Sequence, residues 1–210
     1  MSRFQSGAYI LVVSAAALSL VHPPYPDQAF LQHIPTAIAL IAFPLLIRRC
    51  PMSNTAVTCW ALFLLLHIVA ARWIYSYVPY DRWAETLFGV NITAHFGFRR
   101  NHFDRLVHFS FGLLWIRPMF ELLTRHARLS RRAAYYVSFE FVLAVSMLYE
   151  LVEWGVGIAL DPAGAEAYNG QQGDMWDAQK DMFFALCGAT VALCTLLVRS
   201  RIRPLIFPEP

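Results

Sequence analysis

The chain has 210 residues and a net charge of +3; 58% of its residues are hydrophobic and only 15% are charged. A soluble domain carries about a quarter charged residues, so this balance, with a mean hydropathy of +0.46, excludes an ordinary water-soluble globule. One Lys against sixteen Arg leaves no Lys-rich tail, so no nucleic-acid partner is expected.

Several apolar runs reach the roughly 17–25 residues that cross a hydrocarbon core, and the short alternating segments of a β-barrel are missing. The expected fold class is all-α: a polytopic membrane protein of about six transmembrane helices plus a short interfacial helix, in one domain over 1–210. The first run, 7–22, follows Arg3. The turn His22-Pro23-Pro24-Tyr25-Pro26 behind it offers no small-x-small cleavage site, so the run reads as an uncleaved helix. The second span, 28–47, carries Pro35 and Pro44, which membrane helices tolerate, and closes at Arg48-Arg49. The third, 53–71, holds His67 near its end. Residues 72–101 are rich in aromatics and contain a proline-initiated, glycine-terminated helix over 79–88, expected to lie on the membrane surface. The fourth span, 102–123, leads into a loop with four arginines; the fifth covers 133–160. An acidic loop over 161–176 precedes the sixth span, 177–198, and Arg199, Arg201 and Arg203 follow it. Cys50, Cys59, Cys187 and Cys194 show no C-x-x-C spacing and read as apolar residues without a disulfide.

Counting basic residues by side orients the chain. Eleven, among them Arg3, Arg48, Arg49, Arg125, Arg128 and Arg199, fall on one side, and six, among them Arg72, Arg100, Arg105 and Lys180, on the other. Both termini are therefore expected in the cytoplasm.

The same count puts a set of acids and histidines toward the outer face. Asp104 and His108 are four apart, Glu150 and Glu153 three apart, and Asp177 and Asp181 four apart with Asp174 one turn earlier, so each group shares a helical face. A charge at the centre of a membrane helix costs at least about 2.5–3.5 kcal/mol, so such groups turn inward and need partners. Six carboxylates at one depth, with His108 and His67, repel one another unless they are neutralised. One divalent metal ion would do so. Its expected ligands are His108, Glu153, Asp177 and Asp181, with Glu150 as acid/base and His67, Asp104, Arg105 and Asp174 as the supporting polar cluster. Carboxylates favour Mg²⁺, Ca²⁺ or Mn²⁺ and an imidazole admits Zn²⁺ or Fe²⁺; such an ion activates water or polarises a phosphoryl or carbonyl group. Two other accounts stay open. In one, Arg99, Arg100, Arg105 and Lys180 neutralise the acids, Asp177 caps the sixth helix and the glutamates hydrogen-bond between helices. In the other, the acids line an ion or proton path; its one support is Glu140, deeper in the fifth span and otherwise expected to hydrogen-bond to a neighbouring helix. Gly155, Gly157 and Gly188 are expected to permit close helix packing, and Trp154 and Trp176 to sit at the interface. No G-x-S-x-G, H-E-x-x-H or Glu-x-x-His pattern is present.

Three runs carry a resemblance: Asn101-His102-Phe103-Asp104-Arg105-Leu106-Val107-His108, then Tyr149-Glu150-Leu151-Val152-Glu153-Trp154, then Gly170-Gln171-Gln172-Gly173-Asp174-Met175-Trp176-Asp177-Ala178-Gln179-Lys180-Asp181-Met182. They resemble the blocks of the YjdF family (DUF2238), small bacterial inner-membrane proteins without an assigned activity. The resemblance runs from the second span to the sixth and implies an inner-membrane location. At Ala71-Arg72-Trp73-Ile74-Tyr75 the chain departs from the Gly-Gly-His-Tyr-like run of that family. A more distant similarity links the same blocks to the D-x-x-x-H, E-x-x-Q and D-x-x-x-N runs of VanZ-like membrane proteins, with Glu153 and Asp181 where Gln and Asn would stand; it implies a polar-core architecture and an envelope-lipid or glycopeptide-resistance role. The functional expectation is an integral inner-membrane protein in contact with the lipid bilayer. Its carboxylate- and histidine-rich site would act, as enzyme or binder, on a lipid-linked or amphipathic molecule. An ion or proton transporter and a structural membrane subunit are the alternatives.

Overall fold

A computed structural model describes residues 1–160 and 162–206. Asp161, the side chains of Arg201 and Arg203, and the Pro-rich end 207–210 lie outside the described residues. Within them the chain is helical: α1 (Arg3–Ser19), α2 (Pro26–Gln32), α3 (Ile34–Arg49), α4 (Asn54–Arg72), α5 (Tyr80–Phe88), α6 (Ile92–Phe96), α7 (Phe103–Arg125), α8 (Arg131–Ala159), α9 (Pro162–Asn169) and α10 (Asp177–Ile206). Local chemistry sets the ends. Ser2 and Gln5 form a capping box on α1, Ser53 and Ser130 cap α4 and α8 with their hydroxyls, and Gly89 closes α5 at φ 68.

Five segments are long and apolar enough to cross a membrane: Pro26–Arg49, Asn54–Arg72, Phe103–Arg125, Arg131–Ala159 and Asp177–Arg199. α1 has 17 residues, about 26 Å at 1.5 Å per residue, and packs on α4 through a core that includes Val12, Ala16, Val57 and Trp60. The first of the five segments is not one helix. It breaks at His33 between α2 and α3, because Pro35 has no N–H to return to the preceding turn. The break is held by His33 itself, whose Nδ1 meets the Ala29 carbonyl at 2.7 Å and whose Nε2 meets Ser19 Oγ at 2.7 Å. The aromatic segment holds the expected short helix as α5, and α6 adds a second. Around them Leu87, Phe88 and Phe96 are exposed.

The centre of the bundle is the contact between α7 and α10. Gly112 lies against the backbone of Ala185 and Ala189, and Gly188 against that of Phe109 and Leu113; a Cβ at either glycine would overlap main-chain atoms. Small residues let membrane helices approach in this way, and Ala185 and Ala189 are fully buried in the contact. Arg105 meets Asp177 and Asp181 where Gly112 meets Ala185 and Ala189, so residue numbers rise together and the helices are parallel. Gly112 lies seven residues after Arg105, and Gly188 seven after Asp181. Two turns of each helix thus separate the glycine contact from the acid cluster, and the register set at the glycines brings Arg105 opposite Asp181. Gly157 packs against the Asn169 side chain, whereas Gly155 has nothing within 4 Å.

The two ends of the bundle differ in chemistry. At one, Arg48, Arg49, Arg125, Arg128, Arg131 and Arg132 are exposed. There the buried Glu121 accepts from Ser53 N at 2.5 Å and Ser53 Oγ at 2.6 Å and pairs with Arg125 at 2.9 Å. At the other end the acids gather. Glu140, expected to hydrogen-bond between helices, instead lies exposed on the outward side of α8, and among the described residues it has no hydrogen bond or ion pair.

Gly112→Val and Gly188→Val should each cost about 1–3 kcal/mol by overpacking, seen as a lower melting temperature of the purified protein in detergent. Gly155→Val, facing open space, should leave that temperature unchanged.

Candidate functional site

The site is assembled from the first turns of α7 and α10 and the far end of α8. Asp177 and Asp181 share one face of α10. Asp174 precedes the helix in a turn, where its Oδ1 accepts from Trp176 N at 3.1 Å. Arg105, buried in the first turn of α7, donates from Nη1 to Asp181 Oδ2 and from Nη2 to Asp177 Oδ1, and reaches Asp174 Oδ2 at 3.4 Å. Arg100 also donates to Asp177 Oδ1, and it ties down the preceding loop through the carbonyls of Gln171 at 2.8 Å and Gly170 at 2.9 Å. That loop bends through left-handed residues, Gly170 at φ 65, Gln172 at φ 50 and Gly173 at φ 78. A Cβ on Gly170 would also strike Ser76 Oγ at 2.5 Å. Lys180 closes the outer edge, its Nζ 2.9 and 2.7 Å from the two Asp174 oxygens.

His108 sits one turn deeper on α7 and is buried. Three carboxylate oxygens surround its Nε2: Asp104 Oδ1 at 3.5 Å, Glu150 Oε1 at 3.5 Å and Asp181 Oδ1 at 3.9 Å. These separations exceed a hydrogen bond, about 2.7–3.2 Å. The two at 3.5 Å are close to the ligand–ligand edge of about 3.4 Å expected when nitrogen and oxygen ligands stand about 2.0–2.2 Å from one tetrahedral ion, and the third, to Asp181, is longer. Asp104, His108 and Asp181 each offer a ligand atom within 4.8 Å of the others. Asp181 Oδ1 and Glu150 Oε1 are buried without a hydrogen-bond partner, and a buried acceptor left unpaired costs about 1–3 kcal/mol. Charge points the same way: three cations, Arg100, Arg105 and Lys180, face the six acids Asp104, Glu150, Glu153, Asp174, Asp177 and Asp181.

The structure thus groups the expected residues differently from the sequence. Of the four expected ligands, His108 and Asp181 face one another, with Asp104, expected as support, as the third member and Glu150 beside them. Asp177 is engaged by two arginines. Glu153, half-buried, stands apart from His108 and lines a polar vestibule of about 350 Å³ with Glu150, Asp177, Asn169 and Gln179. His67 does not reach the acids. Its Nδ1 is hydrogen-bonded to the Tyr75 hydroxyl, and it lines an apolar chamber of about 190 Å³ among α3, α4, α7 and α8, which His108 also lines. Glu150 lines the vestibule and His108 the chamber, and the two face one another at 3.5 Å as a partition between them.

Tyr75 and Gln32 are the site's unforeseen members. The chain leaves α4 through Ile74 and Tyr75 at φ 45 and 59, a left-handed turn that L residues adopt at a cost of about 1–3 kcal/mol each and that folds the phenol back onto His67. Burial pushes the Tyr75 hydroxyl well above its ordinary pKa and that of Tyr168 up to about 12, so both stay protonated. Gln32 receives the Tyr149 hydroxyl at 3.3 Å and donates to the Tyr168 carbonyl at 3.1 Å, linking α2, α8 and α9. No periodicity marks a lone glutamine at a helix end or a tyrosine beyond one.

A family model described as "Predicted membrane protein (DUF2238)" matches residues 4–201. The chain is 34% identical over 151 residues to the inner membrane protein YjdF of Escherichia coli (strain K12), covering 71% of this chain and 68% of that protein. No solved structure matches it.

Removing Arg105 while leaving its acids in place should be severe. Arg105→Met strands buried carboxylates and should cost about 3–5 kcal/mol, measured by thermal or denaturant unfolding in detergent. A milder effect belongs to Asp174, whose hydrogen bond to Lys180 holds its carboxyl below the ordinary value of 3.8. Its stabilisation is fully present above that value and is lost as the pH falls through the lower folded-state pKa. A melting-temperature profile from pH 6 downward should therefore flatten on its acid limb in Asp174→Asn.

Proposed function

The chain belongs to the DUF2238 family of membrane proteins, and from that membership we propose that it is a bacterial inner-membrane protein whose buried Asp104–His108–Asp181 centre binds a divalent cation and acts on a lipid-linked or amphipathic molecule. The observation that carries this reading is the ring of three carboxylate oxygens 3.5–3.9 Å from His108 Nε2, two of them otherwise unpartnered. Arg105 takes the far oxygen of Asp181 and leaves the near one to the ion, so it orients the ligand as carboxylate-bound groups around metals commonly do. When bound, the ion supplies charge neutralisation and polarisation of a phosphoryl or carbonyl oxygen. Glu150, on the partition between vestibule and chamber, is the acid/base. An amphiphile fits the two spaces, with a polar part against Glu150, Glu153 and Asp177 and an apolar part beyond His108.

In this reading α1 is the first of six spans, the segment between α4 and α7 lies at the outer membrane surface, and both termini are cytoplasmic. The name of the Escherichia coli relative supports the inner membrane, and the exposed arginines at one end of the bundle support the orientation. A C-terminal green fluorescent protein fusion should fluoresce and a C-terminal alkaline phosphatase fusion should be inactive.

One observation favours a second reading. Arg105 already pairs with Asp177 and Asp181, as a hydrogen-bonded network that only holds helices together would require. Elemental mass spectrometry on detergent-purified protein separates the two. The metal reading expects about one divalent ion per chain, lost in Asp104→Asn and Asp181→Asn. The network reading expects none in any sample, even after incubation with Mg²⁺, Mn²⁺ or Zn²⁺, and a lower melting temperature for both variants.

A further inference from the structure

The apolar chamber beyond His108 has features that lipid tails alone do not require. Seven of the thirteen residues lining it carry aromatic rings: Phe63, His67, Tyr75, His108, Phe111, Trp115 and Tyr149. An acyl chain is matched by aliphatic walls, whereas flat rings offer stacked and edge contacts to another ring. Three lining side chains also carry buried polar atoms without a partner: Ser146 Oγ, Trp115 Nε1 and His67 Nε2. His67 and Ser146 are only 4% and 2% exposed.

An indole N–H donates and never accepts, and a serine hydroxyl can donate. His67 is already engaged: its Nδ1 is hydrogen-bonded to the Tyr75 hydroxyl and the Gln32 backbone is a further hydrogen-bonding neighbour, so it is not a donor free for a ligand. Ser146 differs from the other serine buried on α8. Ser138 donates back to the Ala134 carbonyl at 2.6 Å, the ordinary resort of a helical serine, while Ser146 makes no such bond. Two unpaired donors, Trp115 Nε1 and Ser146 Oγ, thus line an aromatic room of about 190 Å³. An apolar cavity of about 150 Å³ suffices to hold benzene.

We propose that this chamber is a binding site for a neutral, membrane-soluble ring carrying carbonyl oxygen, held by Trp115 and Ser146. The inference rests on the amphiphile reading above and names the buried end of that molecule. Charged groups are excluded, since the chamber offers no counter-charge, and a plain hydrocarbon ring leaves both donors unpaired.

The test compares two probes of nearly equal shape, acetophenone and isopropylbenzene, by isothermal titration calorimetry on the full-length protein in detergent. Acetophenone should bind saturably and at least about tenfold more tightly, as a site built to hydrogen-bond its ligand rejects the analogue that lacks the group. Trp115→Phe and Ser146→Ala keep the packing and remove one donor each; both should cut that preference at unchanged melting temperature. Equal affinity for the two probes would mean a merely greasy cavity, and no saturable binding of either a water-filled one; each overturns the proposal. Elemental mass spectrometry on the same parent preparation separates it from the reading it rests on. Acetophenone preference in parent protein without metal sinks the metal centre alone, and no preference in parent protein that holds about one metal ion sinks the chamber alone.

Discussion

Everything at the polar end depends on how closely α7 and α10 approach. Two glycines, one on each helix, sit against the other's main chain, and no side chain can be added at either without pushing the helices apart. Membrane helices gain little from apolar burial, since lipid tails are as apolar as leucine, so packing and hydrogen bonding decide which contacts form. Here the contact fixes the axial register, and the register brings a guanidinium level with two carboxylates. A shift by one residue would rotate Arg105 by about 100° around its helix and take its guanidinium away from Asp177 and Asp181.

From that pairing the rest of the site follows by division of labour. Arg105 takes Asp177 and one oxygen of Asp181, Arg100 shares Asp177, and Lys180 takes Asp174. What remains is less well paired: Asp104, Glu150 and the other oxygen of Asp181 around an imidazole. The cations thus gather on one side of the cluster and leave the His108 side short of positive charge.

Much of this was legible in the sequence. Acids three or four residues apart on helices that cannot expose them announced a converging cluster, and the proline and glycine around α5 marked its ends. The grouping within the cluster was not legible, because spacing along one helix says nothing about the rotation of the next. Asp104 reads as a support for its neighbour four residues on, yet the bundle turns it to the same nitrogen that Asp181 and Glu150 approach; Glu153 shares a face with Glu150 but looks into the vestibule. The break at His33 was hidden because proline inside a membrane span is common. Glu121, Ser146 and Tyr75 acquire meaning only from partners far away in the chain, or from lacking them. Glu140 is the converse case, an acid deep in a span whose helix turns it away from the bundle.

The latch at the arginine end has a mechanical consequence. Glu121 grips the start of α4 through both the main chain and the hydroxyl of Ser53, while fifteen to twenty residues away the same helix is bolted to α10 by Arg105. α7 is therefore a strut fastened at both ends to different neighbours. Sliding it by even one turn, the usual ratchet of a rocking-bundle carrier, would break both fastenings at once.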